Sequence, residues 1–195
     1  MDEARLAQAY AAIDTANAQD PETLDWEGEA RPKELLHAEL MTEWVGRLDP
    51  DADEAQLLAA RAHHVRRWEV RRDAYPEGRA GYLRWRKEAG RHHAEVVASI
   101  LSEVGYGNDV IERVQAIVRK EGLRVDPDVQ THEDALCLVF LQTQFAALAG
   151  RLGDEKTVDV VRRTLAKMSD RGRAEALALP LSPQERALVE AALAA

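Results

Sequence analysis

Residues 61 to 72 read RAHHVRRWEVRR, which places five arginines and two adjacent histidines within twelve positions of a chain whose net charge is −9. Guanidinium groups bind pairs of phosphate or carboxylate oxygens, and imidazole nitrogens bind zinc, manganese and iron. The run therefore has two interpretations. In the first, the run forms one wall of a site for an anion and a metal ion. In the second, it is a solvated helix face.

The charge of the chain is unevenly distributed around this run. Between Arg61 and Arg91, ten arginines and lysines oppose four acids, so this segment carries +6 and the rest of the chain −15. Overall acidity disfavours a protein that coats nucleic acid, whereas a local basic segment favours an anionic ligand. We expect the partner to be a small anionic or phosphorylated compound. A nucleic acid or the acidic surface of a protein is a less favoured partner.

Helical phase predicts which polar side chains face the interior. At about 100° per residue, Arg61 and His64 fall on the apolar side of the helix that contains the run, and His63 projects to its side. In the next, long helix, His93 lies at the centre of the apolar stripe with Arg86 nearly in line. We therefore expect all of these side chains except His63 to point inward.

Asp134 is an unexpected carboxylate on the most apolar helix, where it shares a face with Leu138 and Leu141. Buried charges are costly unless partners or a ligand satisfy them. We therefore expect His64, His93 and Asp134 to converge and to hold a divalent metal ion through nitrogen and oxygen atoms.

Each of these residues also has a purely structural interpretation. A single histidine on an apolar face is usually a core residue with satisfied hydrogen bonds. Asp134 follows Thr131 by three residues and could be the acid of a capping box. Arg66 and Arg71 are expected to be solvated and paired with acids such as Glu69. The coincidence of several inward polar positions with the basic segment favours an anion or metal site.

Other catalytic motifs are absent from the sequence. It contains no glycine-rich phosphate loop, no dinucleotide-binding fingerprint and no nucleophile elbow around a serine. Its single cysteine, Cys137, excludes a disulfide framework and a cysteine zinc cluster. The N-terminus lacks the pattern of a signal peptide and no apolar run reaches about 18 residues, so we expect a soluble cytoplasmic protein.

Helices must position these residues, because helical spacing recurs along the whole chain and strand-like alternation does not. We predict one compact all-α domain over residues 1–195, a bundle of about seven to eight helices. In the first half of the chain we predict a helix over about 3–18, a loop to residue 32, a helix opened by Pro32, and a helix capped by Asp51 or Asp53 that contains the basic run. A long helix over about 82–104, ended by Gly105, and a helix over about 109–122 follow. An apolar helix opened by Thr131 and two final helices complete the chain, the last with a capping box at Ser182 and Glu185.

The order of the inward groups resembles that of the HD-domain superfamily over about residues 35–141. The matching segments are LLHAELMTEWVGRL with His37, LLAARAHHVRRW with His63 and His64, HAEVVASILSEVGY with His93, and EDALCLVFL with Asp134. This resemblance implies an all-α metal-dependent phosphohydrolase or, as in some members, an iron oxygenase. His64 stands where that family has its aspartate, and AIVRKEG lacks the histidine that many members carry.

A closer resemblance, over nearly the full length, is to an uncharacterised bacterial family known only as a domain of unknown function. Its features stand here as RPKELL, ARAHHVRRW, GYLRWR, HAE and VQTHEDALCLVFL. This resemblance implies bacterial relatives and no particular activity. It favours His64, His93 and Asp134 as the essential group over His37 and His63.

The leading hypothesis is a metal-dependent phosphohydrolase of the HD type that acts on a small phosphorylated metabolite or nucleotide. A divalent ion (Mn, Fe, Zn or Mg) would activate water and polarise the phosphoryl oxygen. The predicted site residues are the metal ligands His64, His93 and Asp134 with His63 or His37, the phosphate-binding Arg61, Arg67, Arg86 and Lys120, and Glu133 for proton transfer. Two alternatives stay open: an HD-type iron-dependent oxygenase, and a non-catalytic module that binds an anionic ligand, an acidic protein or RNA.

Overall fold

The computed structural model describes residues 2–194, and this part of the chain contains ten α-helices, two short 3-10 helices and one two-stranded sheet. The predicted all-α class is confirmed, with more helices than expected. The elements are α1 (Glu3–Asn17), β1 (Thr23–Trp26), β2 (Glu29–Pro32), α2 (Lys33–Leu48), α3 (Glu54–Arg61), 3-10 helices Arg67–Glu69 and Arg72–Ala74, α4 (Gly78–Val104), α5 (Asn108–Val118), α6 (Pro127–Thr143), α7 (Phe145–Leu152), α8 (Asp154–Leu165), α9 (Asp170–Ala178) and α10 (Pro183–Ala194).

Three predicted helix ends are confirmed by their backbone geometry. Asp53 caps α3, because its side chain accepts from the Gln56 N–H at 2.8 Å while Gln56 Oε1 accepts from the Asp53 N–H at 2.9 Å. Gly105 ends α4 with a φ of +92°, a conformation that glycine adopts without steric cost. Ser182 and Glu185 form the capping box that begins α10.

The segment predicted as a loop before Pro32 contains an antiparallel hairpin instead. β1 and β2 pair with Trp26 opposite Glu29. Glu27 and Gly28 form the turn with φ values of 55° and 86°, the two positive angles that a type I′ hairpin turn requires. Each strand has only four residues, which is too short for alternation to be recognised in the sequence.

The prediction that the third helix contains the whole basic run is wrong. α3 ends at Arg61, and the chain then forms a turn that carries His63 and His64 before the 3-10 helix that begins at Arg67. Arg66 adopts a φ of 52°, in the left-handed region, which interrupts the helical backbone. Helical phase therefore does not determine where the two histidines point.

The apolar helix differs from its prediction at both ends. α6 begins at Pro127 rather than at Thr131, because the Asp126 side chain accepts from the first backbone N–H groups and proline suits the first turn. It ends at Thr143, and Gln144 separates it from α7. Within residues 2–194, no single helix is long and apolar enough to cross a bilayer; only α6 and α7 taken together have that length and composition, with a bend of 64°.

Two apolar clusters form the core, and α6 lies between their helices. The first joins α2 to α6, α8, α9 and α10 around Met41 and Leu138, and the second joins α1, α3, α4 and α5 around Ile13 and Leu101. α6 contacts α2, α3, α5, α7 and α9. Because α6 is covered on so many sides, its buried polar side chains need partners from neighbouring elements.

Asp134 links α6 to the beginning of α9. Its Oδ1 accepts from the Ser169 N–H at 2.9 Å and from Gln130 Nε2 at 3.0 Å, and its Oδ2 accepts from the Ser169 hydroxyl. Ser169 is the N-cap of α9, and its hydroxyl accepts from the Gly172 N–H at 3.1 Å. A buried carboxylate is stabilised here by donors at a helix N-terminus. Asp134 therefore supports a helix start, although in α9 and not in its own helix.

Gly172→Ala tests this packing. An added Cβ would lie 2.6 Å from Asp134 Cγ, so the carboxylate would have to leave its donors, and the free energy of unfolding should fall by about 1–3 kcal/mol. Urea denaturation measures the change. In the control Gly46→Ala the new Cβ meets no described atom within 4 Å on an exposed turn of α2, and the substitution should stabilise by up to about 1 kcal/mol. Equal effects at the two sites would contradict the role of Asp134.

Candidate functional site

A cavity of about 630 Å³ gathers most of the histidines of the chain. Its volume lies in the range of small-molecule sites. Of the six histidines in the sequence, four contribute to the cavity wall. These are His37 from α2, His63 and His64 from the turn after α3, and His93 from α4.

Glu34, His37 and His64 form a compact trio, hereafter the metal-ligand trio. One potential ligand atom from each lies within 4.8 Å of the others. Glu34 Oε2 lies 3.5 Å from His37 Nδ1 and 3.4 Å from His64 Nδ1. Two imidazoles and one carboxylate are ligands that zinc and iron accept in catalytic sites.

The hydrogen bonds of His37 determine which of its nitrogens carries the proton. Thr143 donates its only hydroxyl hydrogen to the Val139 carbonyl at 2.7 Å, so its oxygen accepts from His37 Nε2 at 3.1 Å. In the neutral imidazole, Nδ1 is then a lone-pair atom, and it faces Glu34 Oε2. Glu34 Oε2 is buried and has no hydrogen-bond partner among residues 2–194. With the ring neutral, two acceptor atoms face each other, and either a proton on His37 Nδ1 or a metal cation between them would satisfy both.

The hairpin and the preceding loop fix the position of Glu34. Its backbone N–H donates to Asp20 Oδ2 at 3.0 Å, and Asp20 Oδ1 also accepts from the Glu22 N–H at 2.9 Å. The Lys33 N–H donates to the Glu22 carbonyl at 2.9 Å. Because Pro32, the N-cap of α2, makes no side-chain capping bond within residues 2–194, the buried Asp20 supplies the acceptor that the first turn needs.

The ring of His93 lies beside His64 of the metal-ligand trio. Its Nδ1 donates to the Val65 carbonyl at 2.9 Å, which leaves Nε2 as the lone-pair nitrogen of the neutral ring. The ring centroids of His93 and His64 are 5.4 Å apart. A backbone carbonyl that fixes one imidazole nitrogen is the usual support of a metal-binding histidine. The same bond holds the turn that carries His64 against α4.

His63 is more buried than His64, contrary to the expectation from helical phase. Its Nδ1 lies 3.1 Å from Nε2 of His132, a residue of α6, so one ring donates to the other. Nε2 of His63 and Nδ1 of His132 are buried with no hydrogen-bond partner in the described chain. His63 thus lines the cavity and carries a buried imidazole nitrogen that has no hydrogen-bond partner among residues 2–194.

Burial is the largest cause that lowers the pKa of four histidines. The pKa of His93 falls from 6.5 to about 4 and that of His132 to about 3, and those of His63 and His64 lie well below 6.5. The positive charge of Arg67 adds to the effect on His64. These imidazoles are therefore neutral near pH 7, which is the form that binds metal ions.

Glu34 is ionised in the same environment. Burial raises the pKa of its carboxyl, but the hydrogen bond and positive charge that His37 supplies when its Nδ1 carries a proton, together with the charges of Arg67 and Lys33, outweigh burial, so the pKa lies below its ordinary value. Arg67 also contacts His64: its Nη1 lies 2.8 Å from Nε2 and 3.1 Å from Nδ1 of that ring. The site therefore combines a buried carboxylate, neutral imidazoles and adjacent cations.

A second polar group occupies the same cavity wall. Lys120 Nζ lies 2.5 Å from Glu133 Oε2, and Lys167 Nζ lies 3.6 Å from Glu133 Oε1. Only 1% of Glu133 is exposed. Burial raises the pKa of Glu133, but the charge and hydrogen bond of Lys120 outweigh it and the pKa is lowered, while burial lowers the pKa of Lys120. Because its ionised carboxylate is bonded to Lys120, Glu133 is poorly placed for the predicted proton transfer.

The structure brings eight of the ten predicted site residues to one cavity. These are His37, His63, His64, His93, Arg67, Arg86, Lys120 and Glu133. The other two point elsewhere. Arg61 forms an ion pair with Asp14 at 2.5 Å, because it is the last residue of α3 and faces α1. Asp134 binds Ser169 at the start of α9, so the expected convergence of its carboxylate with His64 and His93 is not found.

Sequence reasoning missed the carboxylate that does join the histidines. Glu34 precedes His37 by three residues, a spacing that places both on one helix face, and this signal could have identified it. It also missed His132, which lies two positions before Asp134 on α6. Lys33, Arg119, Arg163 and Lys167 add positive charge to the cavity wall, and they come from chain segments that are distant in sequence.

Comparison with known proteins gives a family and no activity. The chain belongs to the family described as "Domain of unknown function (DUF4202)", whose profile matches residues 7–189. No curated protein and no solved structure matches the chain significantly.

The lowered histidine pKa values predict acid instability of the metal-free protein. Below about pH 6.5 the unfolded chain binds protons that folded His93 and His132 do not bind until about pH 4 and 3. The free energy of unfolding should be highest above pH 6.5 and should fall towards pH 4, by up to about 1.4 kcal/mol per pH unit for each such histidine.

Urea denaturation between pH 4.5 and 7.5, with EDTA present, measures this slope. His132→Gln removes one of the titrating groups and should reduce the slope by close to one proton. Gly46→Ala changes no titrating group and should leave the slope as it is in the wild type. The interpretation fails if His132→Gln and wild type lose stability in parallel as the pH falls.

Proposed function

We propose that this member of the DUF4202 family is a metal-dependent phosphohydrolase that acts on a small phosphorylated compound. The metal-ligand trio supports this proposal most directly. Glu34 Oε2, which has no partner among the described residues, lies 3.4 and 3.5 Å from two imidazole nitrogens. Ligands about 2.0–2.1 Å from a tetrahedral zinc ion lie roughly 3.3–3.4 Å from one another. The two distances from Glu34 are therefore close to those between ligands of a zinc ion, and the third pair, His37 and His64, has ligand atoms within 4.8 Å of each other.

Three ligands leave a coordination position for water or substrate, as in catalytic rather than structural zinc sites. A divalent ion bound there would lower the pKa of a bound water and polarise a phosphoryl oxygen. His93, with a lone-pair nitrogen beside the trio, is a further ligand or a substrate contact. The carboxylate that the sequence assigned to Asp134 is supplied by Glu34 in this proposal.

The charge of the cavity supports a phosphorylated substrate. Among the described residues, seven arginines and lysines but only two carboxylates, Glu34 and Glu133, line the cavity, although the chain as a whole is acidic. Arg67 lies beside the trio, and its guanidinium can bind two phosphoryl oxygens. Arg86 comes from α4, on the same wall as His93, and would contact the same group.

Proton transfer falls to His63 in this proposal rather than to Glu133. His63 Nε2 is unpaired within residues 2–194 and belongs to a cavity-lining side chain, whereas Glu133 is bonded to Lys120. The bond between His63 Nδ1 and His132 Nε2 orients the ring. Such an imidazole can accept a proton from the attacking water or donate one to the leaving oxygen.

An HD-like relationship is retained as part of the proposal. His37, the pair His63 and His64, and His93 occur in the expected order along the chain, and all four line one cavity of an all-α fold. The match is incomplete, because Asp134 belongs to the start of α9 and the carboxylate of the trio comes from α2.

One observation favours a second candidate, an iron-dependent oxygenase. Two histidines and one carboxylate, here His37, His64 and Glu34, are the ligand set of many non-haem iron(II) oxygenases. The excess of positive charge in the cavity favours the phosphohydrolase over this alternative, because phosphoryl groups need several cations. The two candidates share the metal ligands and differ in metal and co-substrate.

Metal binding is the first test. Protein produced without a histidine tag should bind about one divalent ion per chain, and Glu34→Gln should weaken the affinity at least about a hundredfold by removing an anionic ligand. Glu43→Gln is the matched control, because this residue lies exposed on the same helix and should leave the affinity unchanged. Elemental analysis and competition with a chelating dye measure both quantities.

The reaction class is tested on the metal-loaded protein. A panel of phosphorylated metabolites should release inorganic phosphate with wild type and Glu43→Gln but not with Glu34→Gln. Oxygen consumption after anaerobic iron loading, without phosphate release, would favour the oxygenase. If no metal binds and the protein still retains anionic compounds, it is a binding module and the enzyme proposal is wrong.

A further inference from the structure

Lys120, Glu133 and Lys167 form a second polar group in the cavity, hereafter the lysine cluster. The two ammonium groups lie 2.5 and 3.6 Å from the two oxygens of one carboxylate. All three side chains line the cavity, although they come from the end of α5, from α6 and from the segment after α8. Packing of distant segments thus places two cations beside one buried anion.

The backbone at Lys120 is unusual for a lysine. Lys120 has a φ of 59°, and the following Glu121 N–H donates to the Ala116 carbonyl at 3.0 Å. This is the left-handed residue of a Schellman motif, a position where glycine is strongly favoured because it has no Cβ. A lysine accepts conformational strain here, and its side chain enters the cavity from the end of α5.

The charges of the lysine cluster do not cancel. Glu133 neutralises one of the two ammonium groups, so the other retains a positive charge at the cavity, where the Lys120 side chain is 18% exposed and that of Lys167 is 40% exposed. Arg119 and Arg163 line the same cavity and are more exposed than Lys120, with surface acids as their partners. An anion that contacts both lysines would neutralise the excess charge, and the exposed arginines would attract it to the cavity.

The lysine cluster and the metal-ligand trio belong to one cavity. Lys120 lines the same cavity as His63 and His64, and its charge contributes to lowering the pKa of both imidazoles. A cavity of about 630 Å³ is large enough for a compound that extends between the two groups.

We propose that the lysine cluster binds a second anionic group of the substrate, so that the substrate is a compound with two anionic ends, one held at the metal-ligand trio and one between Lys120 and Lys167. The identity of the metal end rests on the proposed function, whereas the anion site itself does not. Phosphate and carboxylate share the chemistry that two ammonium groups recognise.

The first experiment uses EDTA-treated protein and inorganic phosphate as the probe. Calorimetric titration should show phosphate binding without metal, and Lys167→Met and Lys120→Met should each weaken it about tenfold or more by removing a charge-assisted contact. Lys156→Met is the matched control, because Lys156 is exposed on α8 and should leave binding unchanged.

Lys120→Met leaves Glu133 with a single, longer ion pair, which threatens the fold. The double variant Lys120→Met with Glu133→Gln removes both charges of the short pair and keeps the folded state testable. It should fold, as judged by circular dichroism and urea denaturation, and should bind phosphate more weakly than wild type because the Lys120 contact is lost, but no more weakly than Lys120→Met because the cluster keeps its net positive charge. Phosphate binding equal to wild type in the double variant and in Lys167→Met would overturn the anion site.

The second experiment measures the spacing of the two ends. Bisphosphonates with alkyl linkers of increasing length are titrated into the zinc-loaded protein, and the affinity should pass through a maximum at one length and exceed that of a monophosphonate about tenfold or more. Lys167→Met should abolish the maximum without reducing zinc content. A wild type that binds monophosphonates as tightly as every bisphosphonate would contradict two anionic ends.

The two proposals fail separately. If the protein binds no metal but phosphate still binds through Lys120 and Lys167, the metal-dependent phosphohydrolase is wrong and the anion site stands. Suppose instead that the metal binds at Glu34 and that Lys167→Met hydrolyses phosphate esters and binds phosphate as well as wild type does. The anion site is then wrong and the phosphohydrolase stands.

Discussion

The site depends on a buried carboxylate that faces imidazole nitrogens without a donor between them. Glu34 is only 3% exposed, and its Oε2 is 3.4–3.5 Å from His64 and His37. Such an arrangement costs free energy unless a proton or a cation occupies the space. The fold maintains it through fixed backbone contacts: Asp20 holds the first turn of α2, and Thr143 fixes the orientation of the His37 ring.

His64 reaches this carboxylate because a helix ends early. α3 stops at Arg61, and Arg66 in the left-handed region redirects the chain, so that the intervening turn lies over the cavity. The bond from His93 to the Val65 carbonyl holds this turn against α4. Enclosure then keeps the imidazoles neutral, because burial disfavours their charged form. The irregular backbone after α3 therefore buries the imidazoles of His63 and His64, and this burial keeps them neutral.

The distribution of charge separates the cavity from the rest of the molecule. An acidic chain presents a cavity in which cations outnumber carboxylates among the described residues. Part of this charge is internally neutralised, as in the contact between Lys120 and Glu133, and part remains available to a ligand. The negative net charge of the chain disfavours the binding of extended polyanions, whereas the positive charge of the cavity favours the approach of small anions. The lysine cluster and the metal-ligand trio thus give one cavity two chemically different groups.

The sequence by itself determined the helical class, most helix positions and the polar residue types of the site. Hydrophobic periodicity predicts the positions of α1, α2 and α4. Capping residues mark helix boundaries through contacts within a few positions along the chain, as Asp53 does at the start of α3 and Gly105 at the end of α4. Glu34 and His37 share one helix face, so their pairing was also readable in the sequence. Tertiary structure alone decided which polar residues from different elements meet. Helical phase cannot predict His63 and His64, because they follow the end of α3, and it cannot distinguish Asp134 bound to Ser169 from a carboxylate in the cavity. These outcomes depend on contacts between segments distant in the chain, for which a single sequence contains no local signal.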